Sequence, residues 1–404
     1  MKLDSFRVAA AELPMARPFS HAGAKRQTTA SVLVFAEASG HTGWGEGAPR
    51  SYVTAETVES AQAAIEALDL DLLDRVLAVP DFAGAITALR ELDLEAALGG
   101  PVPMPAAAAA VELALFDLIC SIHRKTGFEA LQSQESFASI LRSEAVASPV
   151  SFVVDLSSGV AAKTSALSPE AIASVRHVKV KVSADLDDCV QRVLQVREVF
   201  GPDATVVLDA NGAWTPELAH AAVRRLAGLS IGWIEEPVGP RDWPTMRSLR
   251  EASGIPIMLD ESFASRSDLE AAAAHGAADL VNIRISKCGG LLRSLSLLRV
   301  AHGLGLRAQL GVHVGEIGPL WGAMRLLAGS YAGLATVEAG KHDQWFPEPL
   351  TEPAIAVDRD RYLLPAPAGR SIGLGLRPSA NLRRTLESSQ ETHREEREKV
   401  GTSR

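Results

Sequence analysis

Residues 205–261 read TVVLDANGAWTPELAHAAVRRLAGLSIGWIEEPVGPRDWPTMRSLREASGIPIMLDE. Three short apolar runs, Thr205–Leu208, Ile231–Ile234 and Ile255–Leu259, each lead into an acid: Asp209, Glu235 and Asp260. An amphipathic stretch such as Pro216–Leu226 fills the gap between runs. Apolar runs of four or five residues separated by helical periodicity mark strand–helix units. The same unit extends in both directions. Further runs stand at Val150–Val154 and His177–Val182 before this stretch, and at Leu280–Ile285, Arg307–Leu310 and Thr336–Val337 after it. Helical stretches at Gln191–Phe200 and Ser267–His275 continue the alternation. Eight units at a period of roughly 25 residues predict a parallel barrel of the (β/α)8 type. An open doubly wound sheet would carry a glycine-rich phosphate turn after an early strand. No such turn follows Val150–Val154 or His177–Val182.

The flanks have a different grammar. Residues 1–125 read as an α+β unit. Ser31–Ala36 is a strand, and Gly43-Trp44-Gly45-Glu46-Gly47 suggests tight, exposed backbone. Thr54–Leu68 has helical spacing, and Ala106–Ile119 is a strongly apolar helix behind the breaker run Gly99–Pro103. Residues 126–345 form the barrel. Prolines punctuate a return segment over 346–380, and residues 381–404 end in a charged stretch expected to be a mobile tail.

Length and composition agree with this division. At about 150 residues per domain, 404 residues allow two or three domains. A hydrophobic fraction of 47% with 22% charged residues excludes disorder over most of the chain. No uninterrupted apolar run has the roughly 18 residues of a membrane span, and the first residues make a poor secretory signal. The net charge of −9 argues against a general nucleic-acid surface. Cys120, Cys189 and Cys288 lack metal or redox spacing and fit thiols in a reducing, cytoplasmic compartment.

Chemistry concentrates at the strand ends, where barrel enzymes place their sites. Asp209, Glu235 and Asp260 are separated by 26 and 25 residues, one unit each time. An acid at a single strand end caps a helix or pairs with a surface base. Three acids in register would repel one another at the barrel mouth, and a hard divalent cation such as Mg2+ resolves the repulsion with oxygen ligands. Lys179 and Lys181, two apart on a strand, point to the same side.

The set Lys179-x-Lys181, Asp209-x-Asn211, Glu235-Glu236-Pro237, Asp260-Glu261 and Lys287-Cys288-Gly289-Gly290 resembles the enolase superfamily. It is most similar to the muconate lactonizing enzyme group, with some likeness to mandelate racemase. The Gly43–Gly47 segment and the helix ending Ala114-Leu115-Phe116-Asp117-Leu118 are similar to that family's capping domain. The resemblance covers about residues 1–380. It implies an α+β cap over a modified (β/α)7β barrel, bound Mg2+, a small carboxylate substrate and homo-oligomers. It also implies removal of a proton α to the carboxylate, followed by cycloisomerisation, racemisation or epimerisation, or dehydration. By that resemblance Asp209, Glu235 and Asp260 are the metal ligands, with Glu261 a less favoured substitute for Asp260. Removing such a proton requires stabilisation of the enediolate charge as it forms, which a held metal supplies. Lys181 is then the expected base, since neighbouring positive charge favours its neutral form. Lys179 is expected to stay charged and hold the substrate carboxylate.

The sequence departs from the pattern in two places. Arg284 stands where the lactonizing enzymes, dipeptide epimerases and N-acylamino acid racemases that the chain resembles have a lysine, and a guanidinium clamps carboxylates but does not accept protons. Lys287 falls on the opposite strand face from Arg284 and reads as a support residue. His313, before Glu316-Ile317, is similar in placement to the histidine of mandelate racemase. It is either a second acid/base or a polar wall residue, and Arg284 is expected to disfavour its charged form. Asn211, Glu338, Arg50 and His21 are candidate substrate-binding residues. Glu338, if protonated, could donate to a developing enolate oxygen. Arg50 and His21 suit an anionic or polar substrate end. The rival class is a non-catalytic, carboxylate-binding protein on the same scaffold, which Arg284 favours and the intact acids and Lys181 oppose. A Schiff-base aldolase is a weaker alternative.

Overall fold

The computed structural model describes residues 1–21, 24–100, 102–156, 159–339, 342–367 and 369–387. Side chains of residues 17–26 and of 342 are not among those described. The chain begins with β1 (Ser5–His21), β2 (Ala24–Ala38) and β3 (His41–Gly47), which pair antiparallel in that order. Residues 31–34 are buried on both faces, and alternation sets in only after them, with Ala36 and Ala38 buried, Phe35 half-buried and Glu37 exposed.

The helix Pro105–His123 packs on that sheet, and every residue from Pro105 to Cys120 is buried. Gly43, Gly45 and Gly47 line the contact. A Cβ on Gly43 would lie 2.3 Å from Ala114 O, and one on Gly45 or Gly47 would lie 2.0 Å from Ala110 O or Ala106 O. Two residues of strand advance about 6.7 Å and four of helix about 6 Å, so the two series stay in step. The GxGxG segment is therefore buried by helix contact, not exposed as its glycines suggested. The same helix is the one among the described residues long and apolar enough to cross a membrane. Its burial on the sheet makes it a core helix here.

After β4 (Ser148–Pro149) come eight parallel strands: β5 (Phe152–Val154), β6 (His177–Lys181), β7 (Thr205–Asp209), β8 (Ile231–Glu235), β9 (Ile257–Leu259), β10 (Leu280–Arg284), β11 (Arg307–Gly311) and β12 (Leu334–Val337). They lie in sequence order, and the sheet's edges meet where Val150 bridges Val337 in parallel. Side-chain caps start the connecting helices: Asp185, Thr215, Asp242 and Ser265 each accept from backbone N–H groups of the first turn. Val207, Trp233, Met258 and Leu280 form a buried apolar cluster of their own. They come from four adjacent strands and precede by two residues Asp209, Glu235, Asp260 and Asn282. This is the modified barrel with an α+β cap that the sequence pattern predicts.

Buried carboxylates of the cap join the two parts. Glu46 accepts from the backbone N–H groups of Ile317 (2.6 Å) and Gly318 (2.9 Å), where the barrel helix Pro319–Ser330 begins. Glu112 accepts from Leu291 (2.6 Å), Leu292 and Arg293 at the start of Leu291–Gly303. Asp117 accepts from Leu374 N (2.9 Å) in the return segment, and Trp44 Nε1 donates to Leu376 O. The expected tail does not start at 381. Residues 380–387 are helical with Leu382 and Leu386 buried, and residues 388–404 lie outside the described set. Cys120, Cys189 and Cys288 are buried free thiols.

Candidate active site

Parallel register puts the acids level with one another. Lys181 pairs with Asp209 across β6 and β7, and Asp209 with Glu235 across β7 and β8. Asp209, Glu235 and Asp260 are fully or almost fully buried. Lys179 Nζ stands 2.7 Å from Asp209 and 2.6 Å from Glu235, and it also contacts Glu338 beyond the end of β12. Burial disfavours the Lys179 ammonium, but Asp209, Glu235 and Glu338 outweigh it and hold its pKa well above the usual lysine range. Burial likewise pushes Asp209 upward, yet Lys179 and Lys181 outweigh it and hold the carboxyl down at about 2. For Glu235, burial wins with help from Asp209, and its pKa is raised.

Lys181 sits at the edge of this cluster, with a fifth of its side chain exposed. Its Nζ lies 2.5 Å from Asp209 Oδ2 and donates to Asn211 Oδ1 at 2.7 Å. Asn211 holds a left-handed backbone (φ 46°) and turns its Nδ2 to Glu261 Oε1 at 3.1 Å. Glu236, also left-handed (φ 40°), accepts from Asp260 N (2.8 Å) and Ser262 N and so fixes the loop that carries Asp260. Two non-glycine residues in this region, each next to a site acid, are local strain held by the fold.

The third acid has different company. Asp260 pairs with Arg284 through Oδ2 and with Lys287 through Oδ1 at 2.8 Å. Burial raises the Asp260 carboxyl, but Arg284 and Lys287 outweigh it and keep the group ionised. Lys287 does not lie opposite Arg284 as strand alternation suggested. The chain enters a helical turn at Ile285–Cys288, which brings its ammonium onto Asp260. Its Nζ also donates to Asp260 O and Asn282 O. Asn282, on the same strand face as Arg284, donates to Glu235 Oε1 at 3.0 Å.

His313 is buried, and neither ring nitrogen has a hydrogen-bond partner among the described residues. Burial, then Arg284, Arg50 and Lys287, push its pKa well below the usual histidine value. Its backbone N–H donates to Glu316. Arg50 is buried and donates to Ala30 O (2.7 Å), Thr29 Oγ1 (3.0 Å) and Val314 O (3.2 Å). These contacts tie the cap to the loop after β11. The His21 side chain lies outside the described residues.

Asp209, Glu235 and Glu338 present oxygens within 4.8 Å of one another, a grouping able to hold a cation. The donor set is all carboxylate oxygen, with Asp260 on the next strand, and this fits a hard divalent ion. Sequence spacing found Asp209, Glu235 and Asp260. It did not find the bracing roles of Glu236 and Asn282, although the Glu235-Glu236 pair and the i, i+2 relation of Asn282 to Arg284 were signals.

The model of the family described as "Enolase C-terminal domain-like" matches residues 163–381. The chain is 27% identical to an N-succinyl-L-Arg/Lys racemase of Bacillus cereus, over 77% of this chain and 80% of the racemase. It is 26% identical to a chloromuconate cycloisomerase of Pseudomonas putida, over 77% and 80%. Among solved structures, the dipeptide epimerase of Enterococcus faecalis complexed with Mg and L-Leu-L-Tyr superposes with a TM-score of 0.75 at 22% identity. It covers 93% of this chain and 99% of the epimerase. The chain belongs to the enolase superfamily, in the group of muconate lactonizing enzymes and mandelate racemase, and is an isomerase-type enzyme of that group.

Proposed function

We propose that this enzyme removes a proton α to the carboxylate of a small organic acid, using Mg2+ at the acidic cluster and Lys181 as the base. It then completes the isomerisation on one face, as in opening or closing a ring. Its supporting observation is the pairing of opposites across the barrel. Lys181 ends the second strand of eight and Arg284 the sixth, four strands away. A substrate between them meets a group that can exchange protons on one side and a permanent cation on the other. Bound Mg2+ would supply the positive charge that stabilises the carboxylate as it gains electrons. Asp209, Glu235 and Asp260 would hold it, with Glu338 alongside. Lys179, kept protonated by three carboxylates, balances their charge. Asn211 orients the Lys181 amine.

Deuterium exchange in heavy water tests this reading. Wild type with Mg2+ should wash deuterium into the α position of its substrate, in a screen of small carboxylates. Lys181→Met should slow exchange by at least about 100-fold while melting normally. A variant that exchanges like wild type removes Lys181 from the role.

A second reading, epimerisation, draws support from the racemase and epimerase relatives and from His313, a neutral imidazole beside Arg284. It requires a proton to reach the face opposite Lys181. Deuterated product with inverted configuration, lost in His313→Gln, would favour it over the one-face reaction.

A further inference from the structure

The two cations on Asp260 are held unequally. Lys287 Nζ has three acceptors, Asp260 O (2.7 Å), Asp260 Oδ1 (2.8 Å) and Asn282 O (3.3 Å), and its side chain is 3% exposed. It is anchored to the backbone as well as to the acid. Arg284 reaches Asp260 Oδ2 through one terminal nitrogen, its Nε has no hydrogen-bond partner, and its side chain is 15% exposed. Its stem passes over Gly311, the residue paired with it on β11, where a Cβ would stand 3.0 Å from Arg284 Cγ. The strand thus leaves room for the arginine stem.

Both carboxylate oxygens of Asp260 are engaged, so a divalent cation that takes Asp260 as a ligand competes with one of these partners. Arg284 is the one with a single contact and access to the barrel mouth. A guanidinium released there still faces Glu338, Glu261 and Glu235, but a cation that neutralises this cluster leaves it a buried charge without a paired anion. We propose that Arg284 is a movable counter-ion of Asp260: a divalent cation displaces it, and the carboxylate of the bound acid receives it. Cation and acid then bind cooperatively, because each provides what the other's arrival leaves unpaired. This rests on the metal-and-carboxylate reading above and adds a coupling to it. It assigns Arg284 a positioning role that a lysine in its place would fill less well, since the planar fork holds a carboxylate with two parallel bonds.

Mn2+ titration of the full chain, followed by calorimetry and by the electron paramagnetic resonance of free Mn2+, reads the coupling without turnover. Succinate serves as the acid probe. In wild type, succinate should tighten Mn2+ binding by about tenfold, within the usual range of coupling between sites. Arg284→Met should bind Mn2+ alone about tenfold more tightly than wild type, and succinate should then have at most a twofold or so effect. Arg284→Gln, which keeps a planar polar head, should behave the same way and serves if the methionine variant does not fold. Wild type that binds Mn2+ without any succinate effect overturns the coupling. So do variants that bind Mn2+ alone no tighter than wild type. Either result leaves the metal reading intact. Absence of Mn2+ binding in wild type overturns both.

Discussion

In the reaction proposed above, Arg284 separates a one-face outcome from a two-face one. A guanidinium remains charged at any working pH, whereas a lysine amine can take and return a proton. Arg284→Lys would place an exchangeable amine across the barrel from Lys181. Its expected outcome is gain of function: on a substrate that wild type deuterates without inversion, the variant forms both α configurations. Chiral chromatography of the product in heavy water checks this, and a single retained configuration counts against the opposed placement. At this scale the sequence was readable where spacing alone matters. Asp209, Glu235 and Lys181 reach one cluster because each ends a strand in register. It was unreadable where side-chain reach matters. Glu338 joins Asp209 and Glu235 around Lys179, whereas Asp260 turns to Arg284 and Lys287. Strand ends give positions, and only packing gives partners.

Among elements, β3 and the helix Pro105–His123 meet backbone to backbone. Strand and helix backbones approach so closely that three alternate positions of β3 admit no side chain. The alanine run opposite them has the matching reason, since a larger residue on that helix face would hold the sheet away. The sequence announced small residues on both partners but not that they meet, so the glycines looked like turn punctuation. Gly45→Ala tests the contact. Its methyl group would overlap Ala110 O, and backbone on both sides leaves nothing flexible to yield. A loss of about 2–4 kcal/mol is expected in urea unfolding, near the upper end for overpacking. The control Gly239→Ala is exposed, has no positive φ and meets no atom within 4 Å, so it should stay within about 0.5 kcal/mol of wild type. Equal losses would show that close approach to the helix does not explain the glycines of β3.

Taken whole, the molecule is two parts fastened by buried acids, and that sets its response to pH. Glu46 and Glu112 come from the cap and cap helices of the barrel, while Asp117 holds the return segment. None was foreseen, because a helix-capping acid usually lies next to its helix in sequence, and these lie more than 170 residues away. Burial pushes the pKa of Glu112 from 4.5 up to about 7, against the backbone N–H groups that favour its charge. It does the same to Asp117, also to about 7, and raises Glu46. Each group binds its proton more tightly when folded than when unfolded. Its contribution to stability is therefore complete below the unfolded pKa and is lost as pH rises through the folded one, about 7 for Glu112 and Asp117. Asp209 has the opposite sign, but its window lies lower, between 3.8 and about 2. His177 and His313, lowered by burial from 6.5, oppose the trend below about 6.5, whereas Glu56 and Glu236, raised to about 7, add to it. The raised acids are the more numerous, so the thermal midpoint should fall overall between about pH 5 and about pH 8. In Glu112→Gln the side chain still offers an oxygen to the helix but cannot ionise. Its midpoint should match wild type at the acidic end and lie above it at the basic end, where wild type has lost the stability tied to the raised pKa of Glu112. Scanning calorimetry across that range checks the sign. Parallel curves for the two proteins would mean that Glu112 ionises alike in the folded and unfolded chains, and that the helix N-terminus fully compensates the burial of its charge.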